Sequence, residues 1–80
     1  MAVIRLFASA REAAGTARDT LPGATVGDVL DAASAKYGDR FSSLLETCRV
    51  WVNGESATAA TVVGEADEVA ILPPVSGGEG

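Results

Sequence analysis

The sequence contains no histidine and only one cysteine, Cys48, among its 80 residues. Histidine is the commonest general base and the commonest zinc ligand, so its absence excludes a Cys/His nucleophile pair and a transition-metal site built from this chain alone. One cysteine also excludes an intrachain disulfide framework and is typical of a reducing compartment. We interpret Cys48 as a small buried hydrophobe rather than a nucleophile.

Basic residues and long apolar runs are scarce as well. Six Lys and Arg residues are scattered along a chain of net charge −5, which disfavours nucleic-acid binding. An acidic surface instead suits a partner with a basic docking face. No apolar run approaches the ~20 residues that span a bilayer, and no secretory signal pattern is visible. These features predict a soluble, cytoplasmic protein that binds neither nucleic acid nor membrane.

The composition is sufficient for one small domain, since 48% of the 80 residues are hydrophobic. Alternating and helical patterns predict, in order, a strand, a helical turn, an edge strand, a helix, a second helical turn, a strand, an irregular segment and a last strand. Their expected ranges are 2–8, 9–15, 16–21, 26–37, 41–45, 48–52, 55–66 and 67–72. The segment 69–72 is continuously apolar, which indicates a central strand or one buried on both faces.

End signals accompany several of these elements. Ser9 is expected to cap the first helical turn and Gly15 to end it. Thr25 is the expected N-cap of helix 26–37, with Asp28 completing a capping box. Asn53-Gly54 predicts a tight turn after the third strand. The acidic residues at the helix start are interpreted as solvated rather than as a paired acid/base site.

This order of elements predicts an α+β fold. A hairpin followed by a helix that crosses one face of a mixed sheet, with the last strand parallel to the first at the centre, is the ubiquitin-like β-grasp. The predicted organisation is a domain at 1–72 with one main helix, followed by an extended, flexible C-terminal tail at 73–80. Phe7 is expected either in the core or as an apolar spot on the outer face, and Trp51 either seals the rim of the core or is exposed at a partner interface. Both are therefore candidates for a docking face.

The tail has the composition of a threading arm. Pro73 and Pro74 end the strand because they cannot donate ladder hydrogen bonds, and they favour an extended exit. Gly77 and Gly78 can pass a constriction that a side chain would block. A glycine carboxylate delivered in this way can be activated as an acyl-adenylate and attacked by a sulfur or nitrogen nucleophile. The tail is therefore the candidate functional element.

Several stretches together resemble the MoaD/ThiS family of ubiquitin-like sulfur carriers, and the resemblance covers essentially the whole chain. They are Leu6-Phe7-Ala8, the turn Arg11-Glu12 to Gly15, Val52-Asn53-Gly54-Glu55 and, above all, the segment from Asp67 to Gly78 with its ending Pro-Pro-Val-Ser-Gly-Gly. The double proline is most similar to the small subunit of molybdopterin synthase. Carriers of cysteine or thiamin synthesis and ubiquitin-like protein modifiers are the alternatives.

The resemblance implies a mechanism in which this chain supplies no catalytic side chains and binds no cofactor itself. An adenylating enzyme related to ubiquitin activators uses ATP to activate the terminal glycine, and a sulfur-delivery enzyme converts it to a thiocarboxylate. The arm then enters the large subunit of molybdopterin synthase and donates sulfur to a pterin precursor. By position, Gly78 would carry the thiocarboxylate, and the partner's channel would hold Pro73, Pro74, Val75, Ser76 and Gly77.

One departure from the family pattern concerns the end of the arm. Family members of this kind end at the Gly-Gly pair, whereas Glu79 and Gly80 follow Gly78 here. We expect a C-terminal peptidase to remove both residues before activation. Use of Gly80 itself, or loss of carrier activity, is the alternative.

Overall fold

The first and last strands of the sequence lie side by side in the middle of the sheet. The computed structural model describes residues 1–74, which form β1 (Ala2–Leu6), α1 (Ala8–Ala14), β2 (Arg18–Leu21), α2 (Val26–Tyr37), α3 (Asp39–Leu45), β3 (Arg49–Val52), β4 (Glu55–Ser56) and β5 (Glu68–Leu72). The strand order is β2-β1-β5-β3-β4. β1 and β5 are parallel, with Ile4 opposite Val69, and the other neighbouring strands are antiparallel. This confirms the predicted β-grasp topology.

Alternation along the two central strands separates a buried face from an open one. Ile4, Leu6, Val69 and Ile71 are fully or almost fully buried, whereas the residues between them are partly exposed. Phe41 of α3 is the largest fully buried side chain and packs edge-on against Tyr37, with the ring centroids 5.0 Å apart. Burial of one such side chain contributes about 1.5–3 kcal/mol. The helices therefore cover one face of the sheet only.

Helix α2 has the predicted bounds but a different capping arrangement. The Thr25 hydroxyl accepts a hydrogen bond from the Asp28 N–H at 3.2 Å, as expected. The Asp28 carboxylate does not reach back to Thr25, because it accepts from the N–H of Ala24 at 3.2 Å. The N–H groups of the first two helix residues, Val26 and Gly27, donate to carbonyls of the 57–63 loop at 2.9 and 2.8 Å. That loop is thereby fixed to the start of α2.

The predictions for the shorter elements need correction. The expected cap Ser9 lies inside α1, because the helix already begins at Ala8 and the Phe7 carbonyl accepts the first N–H groups. Gly15 does end α1, at φ 80°. The second helical turn is a seven-residue helix, α3, so two short helices accompany the predicted main helix α2 in the described residues. β2 begins two residues later than predicted.

The edge strand β2 is held to the end of α2 by a cluster of three partly exposed side chains. Asp19 Oδ2 accepts from Tyr37 Oη at 2.6 Å and from Lys36 Nζ at 2.7 Å. The Lys36 hydrogen bond, followed by that of Tyr37, lowers the pKa of Asp19 from 3.8 to about 2. Burial and the Asp19 hydrogen bond raise the pKa of Tyr37. Asp19 is therefore ionised at neutral pH and links the strand to the helix.

Candidate docking groove and C-terminal arm

An apolar groove of about 470 Å³ lies on the open face of the sheet, opposite the helices. We use "the groove" for this depression and its lining residues, Phe7, Arg49, Trp51, Gly54, Ala70, Leu72, Pro73 and Pro74. The groove thus combines two aromatic rings with the last strand and the first two residues of the arm. Its position on the side of β5 that no helix covers makes it the main candidate for contact with another protein.

Strand register explains how these residues meet. Trp51 of β3 lies opposite Ala70 of β5, and Arg49 lies opposite Leu72. Because alternate residues of a strand share one face, all four side chains are on the groove side. Phe7 reaches the same surface from the end of β1, and 39% of it is exposed.

The groove brings together several residues that sequence patterns predicted separately. Phe7 and Trp51, the two candidates for a docking face, line it together with Pro73 and Pro74. The other predicted arm residues, Val75, Ser76, Gly77 and Gly78, lie outside the described residues.

Sequence patterns missed the contribution of β5 itself. Ala70 and Leu72 line the groove, whereas the continuous apolar run had indicated either a central strand or burial on both faces. The strand is central, as predicted, but only Val69 and Ile71 are fully buried. Their parity was the available signal, because Ala70 and Leu72 alternate with these core residues and share a side with Trp51.

A hydrogen-bonded cluster joins the β3–β4 turn to the start of β5. The Asn53 side chain accepts from the Glu68 N–H at 3.0 Å and donates to Asp67 Oδ1 at 2.8 Å. The other Asp67 oxygen accepts from the Gly64 N–H at 2.8 Å. These bonds, first that from Asn53 and then that from Gly64, lower the pKa of Asp67. Of the acidic residues in segment 65–68, Asp67 is therefore hydrogen-bonded within the domain. The hydrogen bonds of Asn53 and Asp67 fix where β5 begins.

Cys48 has the surroundings of a structural residue. Its thiol donates to the Leu44 carbonyl at 3.2 Å, and burial raises its pKa. A thiol with a raised pKa is a poor nucleophile at neutral pH. Within residues 1–74, no cluster of three or more Cys, Asp or Glu side chains is placed to hold a metal ion. None of the helices in this range is long and apolar enough to cross a membrane.

The comparisons with known proteins agree with this geometry. The ThiS family model matches residues 4–78. The chain belongs to the ThiS family. The match runs from β1 through the whole domain and ends on Gly78, the second glycine of the arm. The resemblance to the MoaD/ThiS carriers stated from the sequence is thereby confirmed.

Individual proteins are also similar to this chain in sequence and in structure. The chain is 41% identical to small archaeal modifier protein 1 of Haloferax volcanii, over 92% of this chain and 97% of that protein. The solution structure of small archaeal modifier protein 1 from Methanosarcina acetivorans has a TM-score of 0.84 at 32% identity, covering 94% of this chain and 93% of that one. A candidate molybdopterin converting factor subunit 1 from Pyrococcus furiosus has a TM-score of 0.79, covering 92% and 97%, and its 24% identity supports the fold alone.

Proposed function

We propose that this ThiS-family chain is a sulfur carrier that donates sulfur to a pterin precursor in molybdopterin synthesis. The observation that carries the proposal is the continuity of β5 with the arm. The strand is paired on both sides by β1 and β3, and it passes directly into Pro73 and Pro74 beside an apolar groove. A partner that covers the groove therefore receives the arm from a fixed point.

Gly78 is the proposed reactive residue. Its carboxylate attacks the α-phosphorus of ATP on the adenylating enzyme and pyrophosphate leaves. Hydrosulfide supplied by the sulfur source then attacks the glycyl carbon, AMP leaves, and a thiocarboxylate is the product. The end of the family match at Gly78 supports this assignment, and it requires removal of Glu79 and Gly80 by a peptidase. The five residues from Pro74 to Gly78 span roughly 15–18 Å when extended, enough to place Gly78 in an enclosed partner site.

The chemistry is left to the partners in this proposal. The adenylating enzyme, a sulfur-delivery enzyme and the large subunit of molybdopterin synthase supply the catalytic side chains. The described residues support this division, because the free thiol has a raised pKa and donates to a backbone carbonyl. Pro73 and Pro74 favour the molybdopterin branch over cysteine or thiamin synthesis, since the tails of the thiamin-pathway carriers generally lack a double proline.

The test is reconstitution with the adenylating enzyme of the same cell, ATP and a sulfur source, followed by intact-mass analysis. We expect a chain ending at Gly78 to exchange one oxygen for one sulfur, and a matched chain lacking residues 77–80 to remain unchanged. The full chain should gain sulfur only after loss of its last two residues. A full-length, sulfur-bearing species isolated from the native cell would disprove trimming.

The pathway needs a separate measurement. The sulfur-loaded chain is mixed with the large synthase subunit and the pterin precursor, or with a cysteine-synthase-like enzyme and its acceptor. We expect sulfur to pass to the pterin. Transfer to the cysteine precursor alone would assign the chain to the other pathway.

A protein modifier is the second candidate, favoured by the name of the relative that is 41% identical. In this role Gly78 is attached to amines of other proteins instead of receiving sulfur. A ladder of heavier conjugates on a blot of the native cell would support it, and one free species would oppose it. Lys36 is the only lysine of the chain, so Lys36→Arg separates conjugates with copies of itself, which disappear, from conjugates with other proteins, which remain.

A further inference from the structure

The groove side of the sheet carries a charge opposite to that of the whole chain. Its charged strand residues are Arg5, Arg18, Arg49 and Glu68, which amount to +2 in a protein of net charge −5. Half of the six basic residues are therefore on this one face, although they are scattered in the sequence. The remaining surface is correspondingly more acidic than the net charge indicates.

The three arginines differ in how they are used. Arg5 lies 3.6 Å from Glu68 and 5.8 Å from the centre of the Phe7 ring, so it has partners within the domain. Arg18 and Arg49 are exposed and make no ion pair with any residue of 1–74. Arg49 also lines the groove, opposite the last strand residue Leu72. A guanidinium group thus lies at the point where the arm leaves the sheet.

We propose that the groove docks a protein whose contact surface places carboxylates around an apolar projection. The projection would pack on Trp51, Ala70 and Leu72, and the carboxylates would pair with Arg49 and, at the far edge, with Arg18. An apolar groove with Arg49 in its lining and Arg18 at the edge of the same face has the composition expected of a docking site for a partner with an acidic rim. The inference rests on the proposed function in one respect, because the adenylating enzyme is taken as the partner to be tested.

Charge complementarity also excludes other orientations. An acidic partner is repelled by the helical side of this chain and attracted only to the groove side, so the field selects the face from which the arm departs. Two copies of this chain would oppose like-charged grooves, which disfavours a symmetric dimer through this face. The charge distribution thus favours an acidic partner that approaches from the groove side.

The experiment compares Arg49→Glu with Arg40→Glu in the full chain. Arg40 is an equally exposed arginine on α3, beside Ser43 and away from the groove, so the matched variant makes the same charge change elsewhere. Each chain is immobilised, and the dissociation constant of the adenylating enzyme is measured at several salt concentrations. We expect Arg49→Glu to weaken binding about tenfold or more and to flatten its salt dependence. Arg40→Glu should remain within about twofold of the wild type.

Equal binding by the two variants would overturn the proposal, as would displacement of the enzyme by an RNA or DNA oligonucleotide in an Arg49-dependent manner. Arg49→Gln, which removes the charge without reversing it, should give an intermediate loss, and thermal melting checks that each variant is folded. Adenylation of Gly78 is scored separately. Arg49-dependent binding without adenylation of Gly78 would support the docking site and contradict the proposed function. Adenylation of Gly78 that Arg49→Glu leaves unchanged would support the proposed function and contradict the docking site.

Discussion

The link between β2 and α2 leads to a quantitative prediction about stability and pH. Asp19 accepts hydrogen bonds from Tyr37 and Lys36, and its pKa is lowered from 3.8 to about 2. At 1.36 kcal/mol per pKa unit, this shift corresponds to at most about 2.4 kcal/mol. The side chain of Lys36 is 54% exposed, so solvent screening reduces the contribution to about 1 kcal/mol.

The sign follows from the direction of the shift. Because the pKa of Asp19 is lower in the folded state, the unfolded chain binds the proton more tightly, and acid favours unfolding. The contribution is complete above about pH 4 and is lost as the pH falls towards about 2. Asp19→Asn removes the titrating group. We therefore expect the free energy of unfolding of the wild type to exceed that of Asp19→Asn by about 1 kcal/mol at pH 7, and the two to converge near pH 2.

Urea unfolding at a series of pH values, followed through the fluorescence of Trp51, measures this difference. In thermal unfolding at pH 7, we expect the melting temperature of Asp19→Asn to be about 4–8 °C lower than that of the wild type. Asp31→Asn is the matched control, since Asp31 is exposed on α2 and its side chain makes no hydrogen bond or ion pair in the 1–74 range. A wild-type advantage that stays constant from pH 7 to pH 2, or a control that behaves like Asp19→Asn, would refute the reasoning.

Four further substitutions test individual contacts. Asn53→Ala removes the side-chain bonds that fix the start of β5 and should cost about 1–3 kcal/mol by urea unfolding. Gly23→Ala should cost about 1–3 kcal/mol by the same measurement, because φ is 148° and a Cβ would lie 2.8 Å from the Cβ of Asp28. Phe41→Ala, in the fully buried core, should lower stability by about 3–5 kcal/mol. Phe7→Ala should change stability by only about 0.5 kcal/mol while raising the KM for the carrier in an ATP–pyrophosphate exchange assay with the adenylating enzyme.

Sequence patterns were sufficient where one local signal decides the structure. The apolar stripe of α2, with Thr25 before it, predicted the helix to the residue. Asn53-Gly54 predicted the hairpin turn, and both residues have the positive φ that such a turn requires. The central parallel pair of strands followed from the order of elements. These features depend on neighbours in the sequence or on general rules of topology.

Features in which local contacts compete, or which depend on packing between distant segments, were less accessible. The carboxylate of Asp28 bonds to Ala24 rather than to Thr25. α1 starts before Ser9, where the Phe7 carbonyl accepts its first bonds. The basic groove side was hidden for the same reason, because net charge contains no information about which face each residue occupies. Only strand register places Arg18 and Arg49 on one surface.

The geometry separates two properties that a single motif does not distinguish. In the proposed function the arm carries the residue that is activated, and relatives with different names share the fold of the domain. Although Pro73 and Pro74 favour the molybdopterin branch, we expect the arm alone not to select the partner enzyme. We therefore expect partner choice to depend on the surface next to the arm, where β5 contributes Ala70 and Leu72 to the groove immediately before Pro73. Since β5 is paired on both sides, a partner that binds the groove is also held in a fixed position relative to the start of the arm at Pro73. Exchanging the groove residues between two carriers, with the arm unchanged, should therefore transfer partner preference. The preference is measured as the ratio of the dissociation constants for the large subunit of molybdopterin synthase and for a cysteine-synthase-like enzyme. If preference instead followed the arm, the groove would have no role in selecting the pathway.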